Sequence, residues 1–130
     1  MDASAVNEIV RARGGAGALL SLEEFFTGNN DMGSIGCNLS SHPGTELFYI
    51  IFMAIRERPD VSDVRVIIRE FNDLPDEWPF SDTIYVVTSA SQEVIYDLAE
   101  PLLPDDVKVD DTVTGLMPLS GQHVVSVWWD

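Results

Sequence analysis

Cys37 and His42 stand five residues apart, and a thiol and an imidazole brought within hydrogen-bond reach form the smallest constellation able to do nucleophilic chemistry. Pro43 marks a helix start just beyond them, and a helix N-terminus can lower a thiol pKa. A pocket between the main helix and the sheet would lie near Cys37, His42 and Asp82. Two patterns oppose this reading. Ile35, Cys37 and Leu39 alternate with Ser34, Gly36 and Asn38, which puts the thiol on a buried strand face where cysteine behaves as a small hydrophobe. His42 also reads as a helix-entry residue. Cys37, His42 and Asp82 are therefore candidates for a site, with no catalytic role assigned.

The pairs Asp105-Asp106 and Asp110-Asp111 bring hard oxygen ligands together, as calcium requires. They lack the alternating ligands, central glycine and closing glutamate of an EF-hand loop, so a solvated acidic loop is expected and no metal site. Gly14-Gly15-Ala16-Gly17 and Gly33-x-x-Gly36 match neither a Walker nor a dinucleotide motif. No nucleotide or other cofactor is expected.

The carboxylates are unevenly placed. Between Glu70 and Asp111 lie 12 of the 22 acidic residues but only one of the seven basic ones, so this stretch carries −11 of a formal net charge of −15. A surface of that sign repels nucleic acid and anionic membranes and favours cationic partners. The binding residues this singles out sit in two loops, Asp73, Asp76, Glu77 and Trp78 in one, Asp105, Asp106, Asp110 and Asp111 in the other. Arg56, Arg58, Arg65 and Arg69 are the one basic cluster and suit pairing with carboxylates of the same chain or of a second subunit.

The elements that must position these residues follow from periodicity. Val6, Ile9 and Val10 have helical spacing, and Ser21-Leu22-Glu23-Glu24 has the spacing of a capping box. Residues 1–32 thus read as an N-terminal helical extension, packed on or linked to a body at 33–130. The body begins with an expected strand over 33–39. A helix follows from Pro43 to Arg58, with its apolar run Leu47 to Ile55 about half the ~20 residues that span a bilayer. Strands are expected at 63–71, 83–88 and 124–129, and a helix capped by Ser89 or Ser91 ends near Pro101. Strand, helix, strand, strand, helix, strand is the order of a ferredoxin-like α+β sandwich with a four-stranded antiparallel sheet. In that fold strands one and three are central, so Arg65 and Arg69 fall on one edge and Trp128-Trp129 on the other. Successive tryptophans point to opposite faces, and only one can enter the core.

One cysteine permits no intrachain disulfide, and Met1-Asp2-Ala3-Ser4 lacks the basic and apolar regions of a secretory signal, so a cytoplasmic setting is expected. Ser34-Ile35-Gly36-Cys37-Asn38-Leu39, His42-Pro43-Gly44, Glu77-Trp78-Pro79-Phe80-Ser81-Asp82 and Val125-Ser126-Val127-Trp128-Trp129-Asp130 resemble a group of small acidic bacterial proteins of uncharacterised function. The resemblance covers most of residues 20–130, implies a bacterial source, and brings no activity or site residue with it. Two readings of different classes remain open. One is a non-enzymatic acidic module, of inhibitor or immunity type, that binds a basic protein. The other is a small enzyme or ligand-binding domain with a site near Cys37 and His42. A homodimer joined through edge strands is compatible with either.

Overall fold

Asp2 accepts from the Ala5 amide at 2.9 Å and starts helix α1, Ala3–Ala12. A glycine-bearing link leads to strand β1, Leu19–Leu20. Ser21 then caps α2, Leu22–Phe26, through the reciprocal capping box its spacing predicts: its hydroxyl accepts from the Glu24 amide and the Glu24 carboxylate accepts from the Ser21 amide. Helix α3, Thr45–Arg56, is followed by β2, Val61–Ile67, and β3, Thr83–Thr88. Ser91 caps α4, Gln92–Ala99, whose end tightens into a 3₁₀ turn at Glu100–Leu102. Strands β4, Asp106–Val109, and β5, His123–Trp128, complete the chain. All residues 1–130 are described by this computed structural model.

The architecture is α+β. The five strands form one sheet in the order β1-β2-β3-β5-β4, and every neighbouring pair is antiparallel. Val64, Val66, Ile84, Val86, Val125 and Val127 project from one face into a core shared with the helices. Helix α3 packs over β2, and α4 over β4 and β5. Val6 and Val10 of α1 are fully buried in that same core. No helix is long and apolar enough to cross a membrane.

The sheet departs from the expected four-stranded ferredoxin-like order in three places. Residues 33–39 are not a strand, because local bonds claim their backbone. The Ser34 amide donates to the Asp31 carbonyl at 3.0 Å, the Leu39 amide donates to the Gly36 carbonyl at 3.0 Å, and the Ile35 carbonyl is taken by His42. Gly36 also adopts a φ of +64°, a left-handed turn conformation that ends any extended run. The first strand is instead Leu19–Leu20, which flanks only Val66 and Ile67 of β2; Arg65 keeps an unpaired edge beside it and Arg69 lies beyond the strand. The acidic stretch read as irregular supplies β4, which makes β5 an interior strand beside β3. The main helix starts at Thr45 and not at Pro43, since Gly44 has a φ of +96°. The edges left are β1, whose Leu19 carbonyl accepts from Arg13, and four-residue β4 with Asp106 and Lys108, both poor templates for strand pairing.

Helices cover one face only. On the other, Tyr85, Val87 and Val124 form a small apolar cluster roofed by Val113 and Leu116 from the β4–β5 connection, with Leu19 and Ile67 beside them. That connection crosses half of the helix-free face. The half nearer β4 stays open.

Candidate functional site

The open half-face is a lattice fixed by strand register. Thr83, Trp128 and Asp106 lie in one row across β3, β5 and β4, and Tyr85, Ser126 and Lys108 lie in the next. Neighbouring strands are about 4.8 Å apart and alternate residues about 6.8 Å, so these six side chains occupy a patch about 10 Å wide. Ser126 is the small residue at its middle, between Tyr85 and Lys108 in its own row, with Trp128 two residues along the strand. The result is a cleft of about 290 Å³. Arg69, just beyond β2, closes one side, and Asp110 the other.

Charge in this cleft is mixed. The Arg69 guanidinium donates to the Asp82 carboxylate at 3.0 Å and reaches Thr83 Oγ1 and the Tyr85 hydroxyl at 3.5 Å. Burial works to lower the Arg69 pKa, but the hydrogen bond to Asp82 and the fields of Tyr85 and Asp82 outweigh it and leave the group above its ordinary value. The Thr112 hydroxyl and amide both donate to Asp110 and hold its carboxyl below the usual range, with Lys108 and Arg69 adding attraction. Lys108 itself forms no ion pair.

It is alone in that. Each of the six arginines pairs with a carboxylate of the chain: Arg11 with Asp73, Arg13 with Glu24, Arg56 with Glu23, Arg58 with Asp60, Arg65 with Asp63 and Arg69 with Asp82. All but six of the 22 carboxylates therefore have no cationic partner. Exposed members of this unpaired set gather where α4 meets β4: Glu93, Asp97, Glu100, Asp105 and Asp106. Between the two elements runs a groove of about 220 Å³ with Glu93 and Asp97 on its rim and Tyr96 and Val107 as apolar wall.

The residues singled out by sequence are dispersed. His42 is occupied by backbone: one ring nitrogen, Nε2, donates to the Ile35 carbonyl at 2.7 Å, the other accepts from the Gly44 amide at 2.9 Å, and the ring stacks on Phe48. Cys37 is exposed, not on a buried face, and neither it nor His42 lines any of the four surface clefts. Asp82 is held by Arg69 and Thr83, at the end of the sheet. Loop 72–81 is fastened to α1, where Asn7 donates to the carbonyls of Leu74 and Glu77 and Arg11 pairs with Asp73. Asp76 borders a polar cleft of about 440 Å³ that also includes Met1, Asp2 and Asp31. Trp78 is buried, and its indole N–H donates to the Phe25 carbonyl at 3.0 Å. Asp105, Asp106, Asp110 and Asp111 flank or begin β4 at the opposite edge of the sheet from β1, so the two acidic loops lie on different flanks. No three His, Cys, Asp or Glu side chains are grouped as a metal ion needs.

Sequence reasoning passed over Lys108, Tyr85, Ser126 and Trp128 as one site. The available signal was the period-two run Asp106, Lys108, Asp110 set against Val107 and Val109, together with small Ser126 two positions from Trp128.

With this geometry in place, comparison with known proteins adds kinship. The model of a family described as the uncharacterized protein YfbO family matches residues 1–127. The uncharacterized protein YfbO of Escherichia coli (strain K12) is 44% identical over 117 residues, which cover 86% of this chain and 82% of that protein. No solved structure matches the chain significantly.

Proposed function

We propose, for a chain that belongs to the uncharacterized protein YfbO family, a non-enzymatic role: binding a basic protein surface through the acidic edge made by α4 and β4. The observation that carries this is the distribution of ion pairs. Every arginine is engaged internally, while Glu93, Asp97, Glu100, Asp105 and Asp106 stand exposed with no cation but Lys108 nearby. The α4–β4 groove suits a partner's arginine or lysine. Its aliphatic stem would lie against Tyr96 and Val107, and its charged head would meet Glu93 and Asp97. Exposed Val94, Leu103 and Val109 add apolar contact among the charges. The partner is thus a basic protein with apolar residues interleaved among its cations. Such association is fast and falls with ionic strength. The setting proposed is cytoplasmic, since a lone exposed thiol suits a reducing compartment.

The test is recovery of a defined partner at two ionic strengths. Tagged wild-type protein should retain a cationic partner in ~20 mM salt and release it in ~500 mM, because screening shortens the Debye length from about 20 Å to below 5 Å. A charge-reversed edge, Glu93→Lys with Asp97→Lys and Asp105→Lys, should lose that partner while keeping the wild-type circular dichroism spectrum. Retention by the reversed edge, recovery of no cationic partner, or binding indifferent to salt overturns the proposal.

A further inference from the structure

On the sheet face that helices leave bare, the geometry points to a second binding site: the cleft of Trp128, Ser126, Lys108 and Asp106 takes a small α-amino-acid-type zwitterion with an apolar planar side chain. The ligand class follows from what each group lacks. Lys108 is the one lysine or arginine side chain without an ion pair, although Asp106 and Asp110 flank it on the same strand face. Alternate strand positions are about 6.8 Å apart, so a ligand's charges can lie between the lysine and a flanking aspartate. Asp110 is already engaged by Thr112, whereas Asp106 has an exposed carboxylate with no hydrogen bond to the rest of the chain and shares its row with Trp128.

Electrostatics select among ligands. A simple anion would meet Lys108 but enter the field of a protein of net charge −15, with Asp82, Asp106 and Asp110 close by. A simple cation would meet Asp106 and be opposed by Lys108 and Arg69. A carboxylate and an ammonium on one carbon satisfy Lys108 and Asp106 together and add no net charge. The surface open to a flat apolar group is Trp128, 37% exposed, beside the small Ser126, which with Tyr85 makes the buried floor of the cleft. The volume of about 290 Å³ lies at the lower bound for ligand sites, as a single amino acid requires. This cleft shares Asp106 with the acidic edge proposed above, but none of its lining residues with the α4–β4 groove itself, and the charge-reversed edge leaves Asp106 in place.

The probe is L-phenylalanine, titrated to about 10 mM into the full-length protein while backbone amide resonances are followed, a range suited to millimolar affinity. Shifts should centre on Tyr85, Ser126, Lys108 and Trp128. Two analogues divide the charges: 3-phenylpropionate lacks the ammonium and phenethylamine lacks the carboxylate. Each should bind at least about tenfold more weakly, as should Lys108→Ala and Asp106→Asn, both exposed positions whose folding the amide spectrum checks directly. Equal binding of 3-phenylpropionate, unchanged affinity in both variants, or absence of saturable shifts overturns the site. So does stronger binding of a neutral sugar such as glucose at the same resonances.

Discussion

Trp128 and Trp129 are neighbours in sequence with opposite surroundings, so replacing each by alanine separates core packing from surface exposure. Trp129 is 1% exposed, its ring lies 5.1 Å from Phe48 and 6.1 Å from Phe52 between centroids, and its indole donates to the Leu102 carbonyl at 2.9 Å. Burying about 200 Å² of aromatic surface at about 25 cal/mol per Å² gives an upper bound of about 5 kcal/mol, and loss of the indole bond leaves Leu102 without its side-chain donor. Allowing for partial collapse of the cavity, Trp129→Ala should cost about 4 kcal/mol, within the range for large aromatic deletions. Trp128 is 37% exposed on the open face, and Trp128→Ala should cost about 1 kcal/mol or less. Urea unfolding followed by far-ultraviolet circular dichroism reads both. With a slope of about 2 kcal/mol per M, the midpoint should fall by about 2 M for Trp129→Ala and by less than about 0.5 M for Trp128→Ala. Trp129→Phe keeps a ring and removes the donor, so it should fall between them if the alanine variant is too weak to measure. A Trp128→Ala loss equal to or larger than that of Trp129→Ala would refute the assignment of faces, and with it the open cleft.

Two further outcomes follow from the ion pairs and the thiol. Glu23 is held at a pKa of about 2 against an ordinary 4.5, chiefly by its hydrogen bond to Arg56; because the folded value is depressed, the stabilisation is present above pH 4.5 and vanishes as pH falls through 2. Its side chain is 48% exposed, so screening limits the effect to about 1 kcal/mol, and Glu23→Gln should lower urea stability by that amount at pH 7 and by nothing measurable near pH 2. Cys37 is exposed, so iodoacetamide should label native protein once per chain, and Cys37→Ser should change stability by less than about 0.5 kcal/mol; a protected thiol or a larger loss would place Cys37 in the core.

Where local chemistry decided structure, the sequence was sufficient. Thr83–Thr88 is a strand because branched and aromatic residues fill both faces of an interior position, the Ser21 cap forms as its spacing predicts, and Ser91 is the one of the two serines offered that caps α4. Where tertiary contacts decided, it was not. The alternation of Ile35, Cys37 and Leu39 is as regular as that of a strand, yet His42 captures the Ile35 carbonyl and Gly36 turns the chain. A Cβ at Gly36 would stand 2.9 Å from the Phe48 ring, so the turn is locked by a helix the local pattern does not reveal. Leu19–Leu20 is too short to show a period, and only its partners Ile67 and Val66 make it a strand. Trp78 in an acidic, proline-bearing loop reads as exposed, but the Phe25 carbonyl accepts its indole N–H from 53 residues away.

The same distinction governs the acidic surface. Net charge is a sum over residues and is legible in any order, whereas an interaction surface depends on which charges remain unpaired, and pairing is long-range. Asp73 is neutralised by Arg11, 62 residues earlier, and Asp82 by Arg69 across a loop. Loop 72–81 thereby loses part of its field and becomes a packing element against α1 through Asn7, which is 2% exposed. No arginine reaches Glu93, Asp97, Asp105 or Asp106, so the charge read along 70–111 is undiminished at the α4–β4 edge, while about loop 72–81 Glu70, Asp76 and Glu77 stay unpaired and Asp73 and Asp82 do not. Lys108 stands apart from both patterns. A cation placed on the edge strand and left unpaired beside two aspartates does not maximise acidity toward a basic partner, and its position opposite Ser126 is what divides the helix-free face, as a separate site, from the α4–β4 groove.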